Sequence, residues 1–126
     1  MPLSRSIAVV DDNEGVRLSL DNLLRSEGHR VRTFASAIDF LADEEARIDA
    51  LLLDANMPCM TGFELKQELR RRGRDLPTIM ITAYPTDAAR RQAEEAGIDH
   101  FLSKPVDPDV LIGLLSRLID RGGGTA

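Results

Sequence analysis

Only one cysteine, Cys59, occurs in the 126 residues, so no internal disulfide framework can form, and this weighs toward a reducing compartment. Histidine is scarce as well. His29 and His100 have no matching partners and read as structural or surface residues, so no His/Cys cluster is available for a soft metal. Long apolar runs are missing. The first spans residues 7–10, too short for a signal peptide or a membrane span, which makes the cytoplasm the expected location and a membrane partner unexpected. Net positive charge is lacking too. The chain has 16 Lys and Arg against 21 Asp and Glu, a formal net charge of −5, and such a surface repels nucleic-acid phosphates. The single basic run, Arg70-Arg71-Arg72-Gly73-Arg74, reads as a helix C-terminus whose cations complement the helix dipole. There are no internal repeats. Glycine-rich sequence is confined to residues 122–126, which read as a flexible tail, either a terminus or the start of a linker.

What is present fits one globular domain over residues 1–121. At 43% hydrophobic and 29% charged, a chain of this length can bury a core without staples. Short, almost wholly apolar runs at residues 7–10, 51–53 and 79–81 predict strands covered on both faces; residues 30–34 and 99–102 are weaker strand candidates. Helical stripes lie between them. Val16, Leu20, Leu23 and Leu24 share one helical face, as do Val110, Leu111, Leu114, Leu115 and Leu118. Shorter stripes come from Ile38, Leu41 and Ala42, and from Leu65 and Leu69. Gly28, Gly73 and Gly97 follow helical patterns where a left-handed residue is wanted. Asp12 or Asn13 can cap the first helix, and Ser36 and Thr61 can cap others. The alternation predicts an α/β, doubly wound (βα)5 fold. It would have helices on both faces of a five-stranded parallel sheet in the flavodoxin-like order 2-1-3-4-5.

In such a sheet, ligands bind beyond the carboxyl ends of the strands, where strand order reverses. Those ends carry Asp11 and Asp12, Asp54, Thr82, and Lys104 with Pro105. Three carboxylates in one pocket repel each other, and without a counter-charge at least one holds its proton. Mg²⁺ suits such oxygen ligands and shares its shell readily with phosphate; with Lys104 it would bring the pocket to formal neutrality. Asp54 can then act as an in-line nucleophile toward phosphorus. Lys104 and the Thr82 hydroxyl can each address a phosphoryl oxygen.

These residues, in this order, resemble the response-regulator receiver family of the CheY-like superfamily, over about residues 5 to 121. The resemblance is carried by Val9-Val10-Asp11-Asp12, Leu52-Leu53-Asp54-Ala55-Asn56-Met57-Pro58, Ile81-Thr82-Ala83 and Phe101-Leu102-Ser103-Lys104-Pro105. Val31-Arg32-Thr33-Phe34-Ala35-Ser36-Ala37 and Leu69-Arg70-Arg71-Arg72-Gly73 look most like FixJ-type receivers. The resemblance implies that Asp54 is the phosphoacceptor and that Asp12, Asp54 and the Asn56 backbone carbonyl ligate Mg²⁺, with Asp11 acting through water. It implies that Lys104 pairs with the phosphoryl group ahead of a cis bond to Pro105, and that Thr82 and Phe101 form the switch. It further implies a sensor histidine kinase or phosphotransfer protein as donor and self-catalysed phosphorylation and dephosphorylation, without turnover of small molecules. The output would pass through the surface of helix four, strand five and helix five to an effector domain beyond the C-terminus, a separate target, or a homodimer formed on phosphorylation. Cys59 departs from the pattern, standing where the family commonly has Gly.

Taken singly, Asp11 and Asp12 read better as helix caps, Thr82 as a strand residue, Lys104 as a loop lysine and Phe101 as core. Asp54, directly after Leu51-Leu52-Leu53, is a carboxylate at the end of a buried strand and needs partners. Two other classes compete. A haloacid-dehalogenase-like phosphatase wants a second Asp two positions after its nucleophile, where this chain has Asn56. A receiver-like module that no longer needs phosphate would have no use for the intact set of Asp11, Asp12, Asp54, Thr82 and Lys104.

Overall fold

A computed structural model describes residues 5–43 and 47–123. The elements alternate as β1 (Ser6–Val10), α1 (Glu14–Ser26), β2 (Arg30–Phe34), α2 (Ala37–Ala42), β3 (Ala50–Asp54), α3 (Gly62–Arg71), β4 (Thr78–Thr82), α4 (Asp87–Ala96), β5 (His100–Ser103) and α5 (Pro108–Gly123). The five strands form one sheet in the order β2-β1-β3-β4-β5, and every neighbouring pair is parallel. Helix α5 is assigned through Gly123, while residues 124–126 of the expected tail lie outside the described residues.

The period of two along each strand sorts the core into two layers. Ala8, Val10, Leu51, Leu53 and Met80 join Phe40, Leu65, Leu69 and Ala93 on the side of α2, α3 and α4. Ile7, Val9, Leu52, Ile79 and Ile81 join Leu20, Leu24, Leu111, Leu115 and Leu118 on the side of α1 and α5. Strands β3 and β4 are buried along their whole length, which is why they read as continuous apolar runs. The two outer strands are more exposed, so their sequence signal is weaker.

Local chemistry sets the helix ends. Asn13 Oδ1 accepts from the Val16 amide at 3.0 Å, so Asn13 caps α1 and Asp12 stays free for other work. Ser36 caps α2 and Thr86 caps α4. Thr61 and Glu64 exchange reciprocal bonds across the first turn of α3. Gly28, Gly73 and Gly97 take φ of 88°, 78° and 80°, as expected of residues ending helices. Cys59 shares that left-handed region with φ 71°, a conformation that costs a side-chain-bearing residue about 1–2 kcal/mol. This explains why glycine suits the position.

Two stripes differ from expectation. Ile38 is 55% exposed, whereas Ala37, Phe40 and Leu41 are buried. The Ser36 cap phases α2 so that the larger Phe40 ring enters the core, where it stacks edge-on against Phe34 at 5.2 Å. Val110 is 48% exposed while Leu111, Leu115 and Leu118 are buried, which rotates the apolar face of α5 one position along the chain. Strand β5 starts at His100 rather than at Asp99; the Asp99 carboxylate accepts from the Thr78 amide at 2.8 Å.

Candidate functional site

The strand register brings the acidic residues together. Val10 of β1 sits opposite Leu53 of β3, so the residues that follow each, Asp11 and Asp54, emerge side by side where strand order reverses. Asp11 and Asp54 are buried, and Asp12 is exposed at the mouth. Carboxylate oxygens from all three lie within 4.8 Å of one another. Asp11 is held by its neighbours: its Oδ1 accepts from the Asn13 amide at 2.8 Å, and its carbonyl accepts from Arg17 Nη1 at 2.8 Å.

Lys104 reaches this cluster from the far end of the chain. Its Nζ donates to Asp11 Oδ2 at 3.0 Å and lies 3.6 Å from Asp54 Oδ1. The Lys104 backbone amide donates to the Thr82 carbonyl at 2.8 Å, and the Lys104–Pro105 bond is cis. Thr82 is fully buried. Its hydroxyl oxygen accepts from Asn56 Nδ2 at 3.1 Å and from the Tyr84 amide at 3.0 Å. Phe101 is half-buried beside the core layer of α3 and α4, with the Arg90 guanidinium over its ring at 5.1 Å. The sequence-predicted Asp11, Asp12, Asp54, Thr82 and Lys104 therefore share one end of the sheet.

Electrostatics single out Asp54. Its pKa is pushed up to about 6, first by burial and then by the Asp11 charge, against the lowering effects of Lys104 and the Asn56 backbone amide; Asp12 raises it further. One ammonium does not offset two neighbouring carboxylates. An all-carboxylate donor set this close, with one member driven toward its protonated form, suits a hard divalent cation. The exposure of Asp12 leaves room for cation-bound water.

Two features of the site were missed at the level of sequence. Gly62 opens α3 against the back of Asp54: a Cβ there would lie 2.3 Å from the Asp54 carbonyl oxygen and 3.0 Å from Met80 Cε. Only the position after the Thr61 cap hints at this. The second is an apolar groove of about 730 Å³ between α1 and the segment after β5, lined by Val16, Leu20, Leu23, Pro105 and Val106, with Lys104 among its lining residues. Its residues come from distant stretches that only the fold unites.

Comparison with known proteins agrees with this architecture. The chain is 36% identical over 122 residues to the response regulator MprA of Mycobacterium tuberculosis H37Rv, which covers 94% of this chain and 52% of the relative. The chain thus spans about half the length of the curated relatives it matches. Among solved structures, a CheY-like receiver domain protein from Methanospirillum hungatei JF-1 superposes with a TM-score of 0.91 at 27% identity, covering 98% of this chain and 100% of that one. FixJ-N superposes at 0.86 with 32% identity, covering 94% and 96%, in keeping with the FixJ-like stretches. The receiver domain of DrrB, described as BeF3-activated, also superposes at 0.86 with 30% identity, covering 94% and 99%. The pattern of the response regulator receiver domain matches residues 7–116, and the chain belongs to that family.

Proposed function

We propose that Asp54 accepts a phosphoryl group from a phosphohistidine on a sensor histidine kinase or phosphotransfer protein, in a Mg²⁺-dependent reaction. The observation that carries the reading is the Asp54 carboxylate, set between two further carboxylates and the Lys104 ammonium at the carboxyl end of the sheet. An Asp54 oxygen attacks phosphorus as the P–N bond breaks. The imidazole keeps the electron pair, and Asp54 becomes an acyl phosphate. Asp11, Asp12, Asp54 and the Asn56 backbone carbonyl would hold Mg²⁺, which when bound offsets charge on the phosphoryl oxygens. Lys104 supplies a fixed positive charge beside the attacking carboxylate. The same pocket, open at Asp12, admits the water that later hydrolyses the acyl phosphate. The groove beside Lys104 offers the donor protein an apolar seat next to the reacting centre.

The new charge then biases a two-state equilibrium. Thr82 leaves Asn56 for a phosphoryl oxygen, and Phe101 turns inward into the vacated space. The surface of α4, β5 and α5 changes accordingly and addresses an effector domain, a separate target or a second copy of the chain. No described helix is long and apolar enough to cross a membrane, and a cytoplasmic setting accords with a kinase-fed relay. Trifluoroberyllate mimics a phosphoryl group, so the likeness to a BeF3-activated receiver domain of DrrB supports a phosphoryl-accepting role for this chain. The test is incubation with acetyl phosphate and Mg²⁺ followed by intact mass. The native chain should gain one phosphoryl group and Asp54→Asn none; a modified Asp54→Asn protein, or an inert native chain, would sink the assignment.

A further inference from the structure

The fourth helix is weakly held, and an aromatic tie on it points at the residue that has to move. The buried residues of α4 are Ala93 and Ala96 alone, so it lacks large apolar anchors. Its C-terminal end is fastened by Arg70 Nη1, which donates to the Ala96 carbonyl at 3.1 Å. Nearer its N-terminal end, the tie to the sheet is Arg90, whose guanidinium carbon lies 5.1 Å from the centre of the Phe101 ring. Asp87 and Glu94 stand one turn to either side of Arg90 on the same helix, where ion pairs are commonly made. Among the described residues Arg90 makes no such pair; its charge is placed over the ring instead.

We propose that Arg90 is a resting-state latch, holding the Phe101 ring in its half-buried position under the guanidinium and coupling that ring to α4 until Asp54 is modified. The proposal rests on the switch reading of Thr82 and Phe101 given above. A guanidinium over an aromatic face is attracted by the ring quadrupole. Inward rotation of Phe101 removes the face and loses that attraction. The same step leaves the helix bound chiefly by its Arg70 end, free to shift its N-terminal half. The latch therefore lowers the population of the active state, and any ligand of the active state binds more weakly in proportion.

The sign of the effect distinguishes the latch from simple charge attraction. Removing a cation near an anion site should weaken anion binding, whereas removing a latch should strengthen it. The experiment is titration of Mg²⁺-loaded protein with trifluoroberyllate, followed by ¹⁹F NMR and calorimetry. An exposed cation–π contact corresponds to roughly a two- to five-fold change in the equilibrium, so Arg90→Ala should bind about two to five times more tightly than the native chain. Arg90→Lys should fall between them. In a Phe101→Leu background, Arg90→Ala should change nothing, because the ring is already gone. Unchanged or weaker binding by Arg90→Ala overturns the latch, as does the same tightening in the Phe101→Leu background. Failure of the native chain itself to bind overturns the site reading and the latch with it; binding by the native chain with no Arg90 effect overturns the latch alone.

Discussion

Asp54 is strained by its surroundings, and the strain has a sign. Its pKa is about 6 in the fold against 3.8 for an ordinary aspartate side chain. The folded state therefore binds the extra proton between those values, and stability falls as pH rises through that window. Below about pH 4 the group is neutral in both states and contributes nothing. Above about pH 6 the full penalty of about 2 to 3 kcal/mol is present, at about 1.4 kcal/mol per pH unit. Asp54→Asn should thus be more stable than the native chain by that amount at pH 7.5 without Mg²⁺. The gain should vanish near pH 3.5. Urea melts at the two pH values check this, and equal gains at both would contradict it. Gly62 is the second residue under tight constraint. A methyl group there collides with the Asp54 carbonyl, so Gly62→Ala should cost about 1–3 kcal/mol. An unchanged urea midpoint would show that the approach is not tight.

At the scale of elements, the alternation of strands and helices was readable because β3 and β4 are buried on both faces and carry polar residues only at their ends, leaving 51–53 and 79–81 as unbroken apolar runs. Glycines with positive φ marked three helix ends. The phase of α2 was not readable: Ile38-Leu41-Ala42 and Ala37-Phe40-Leu41 share the same spacing, and only the packing of Phe40 on Phe34 decides between them. The cap of α4 at Thr86 precedes a weakly apolar helix, whose faint stripe leaves its start unmarked in the sequence. Helix α3 is the best-defined start, with a complete capping box between Thr61 and Glu64. Because it also carries Gly62 against Asp54, Thr61→Ala should lower stability by about 1 kcal/mol and slow phosphorylation only mildly. A loss of phosphorylation as complete as that of Asp54→Asn would give Thr61 a direct part in the chemistry instead.

For the whole molecule, the site is assembled from four strand ends that lie far apart in sequence, and Lys104 meets Asp11 across 93 positions. Those contacts were legible as a set because a parallel sheet puts every strand's carboxyl end on the same side. The tie from Asn56 to Thr82, the guanidinium over Phe101 and the groove beside Lys104 were not, since each depends on side-chain placement across separate elements. The most direct measurement traps the acyl phosphate with borohydride after exposure to a phosphodonor and Mg²⁺, then maps the reduced residue by peptide mass. The account predicts homoserine at position 54, and only when Mg²⁺ was present. Reduction at another carboxylate, or none anywhere with donor and Mg²⁺ supplied, would contradict it.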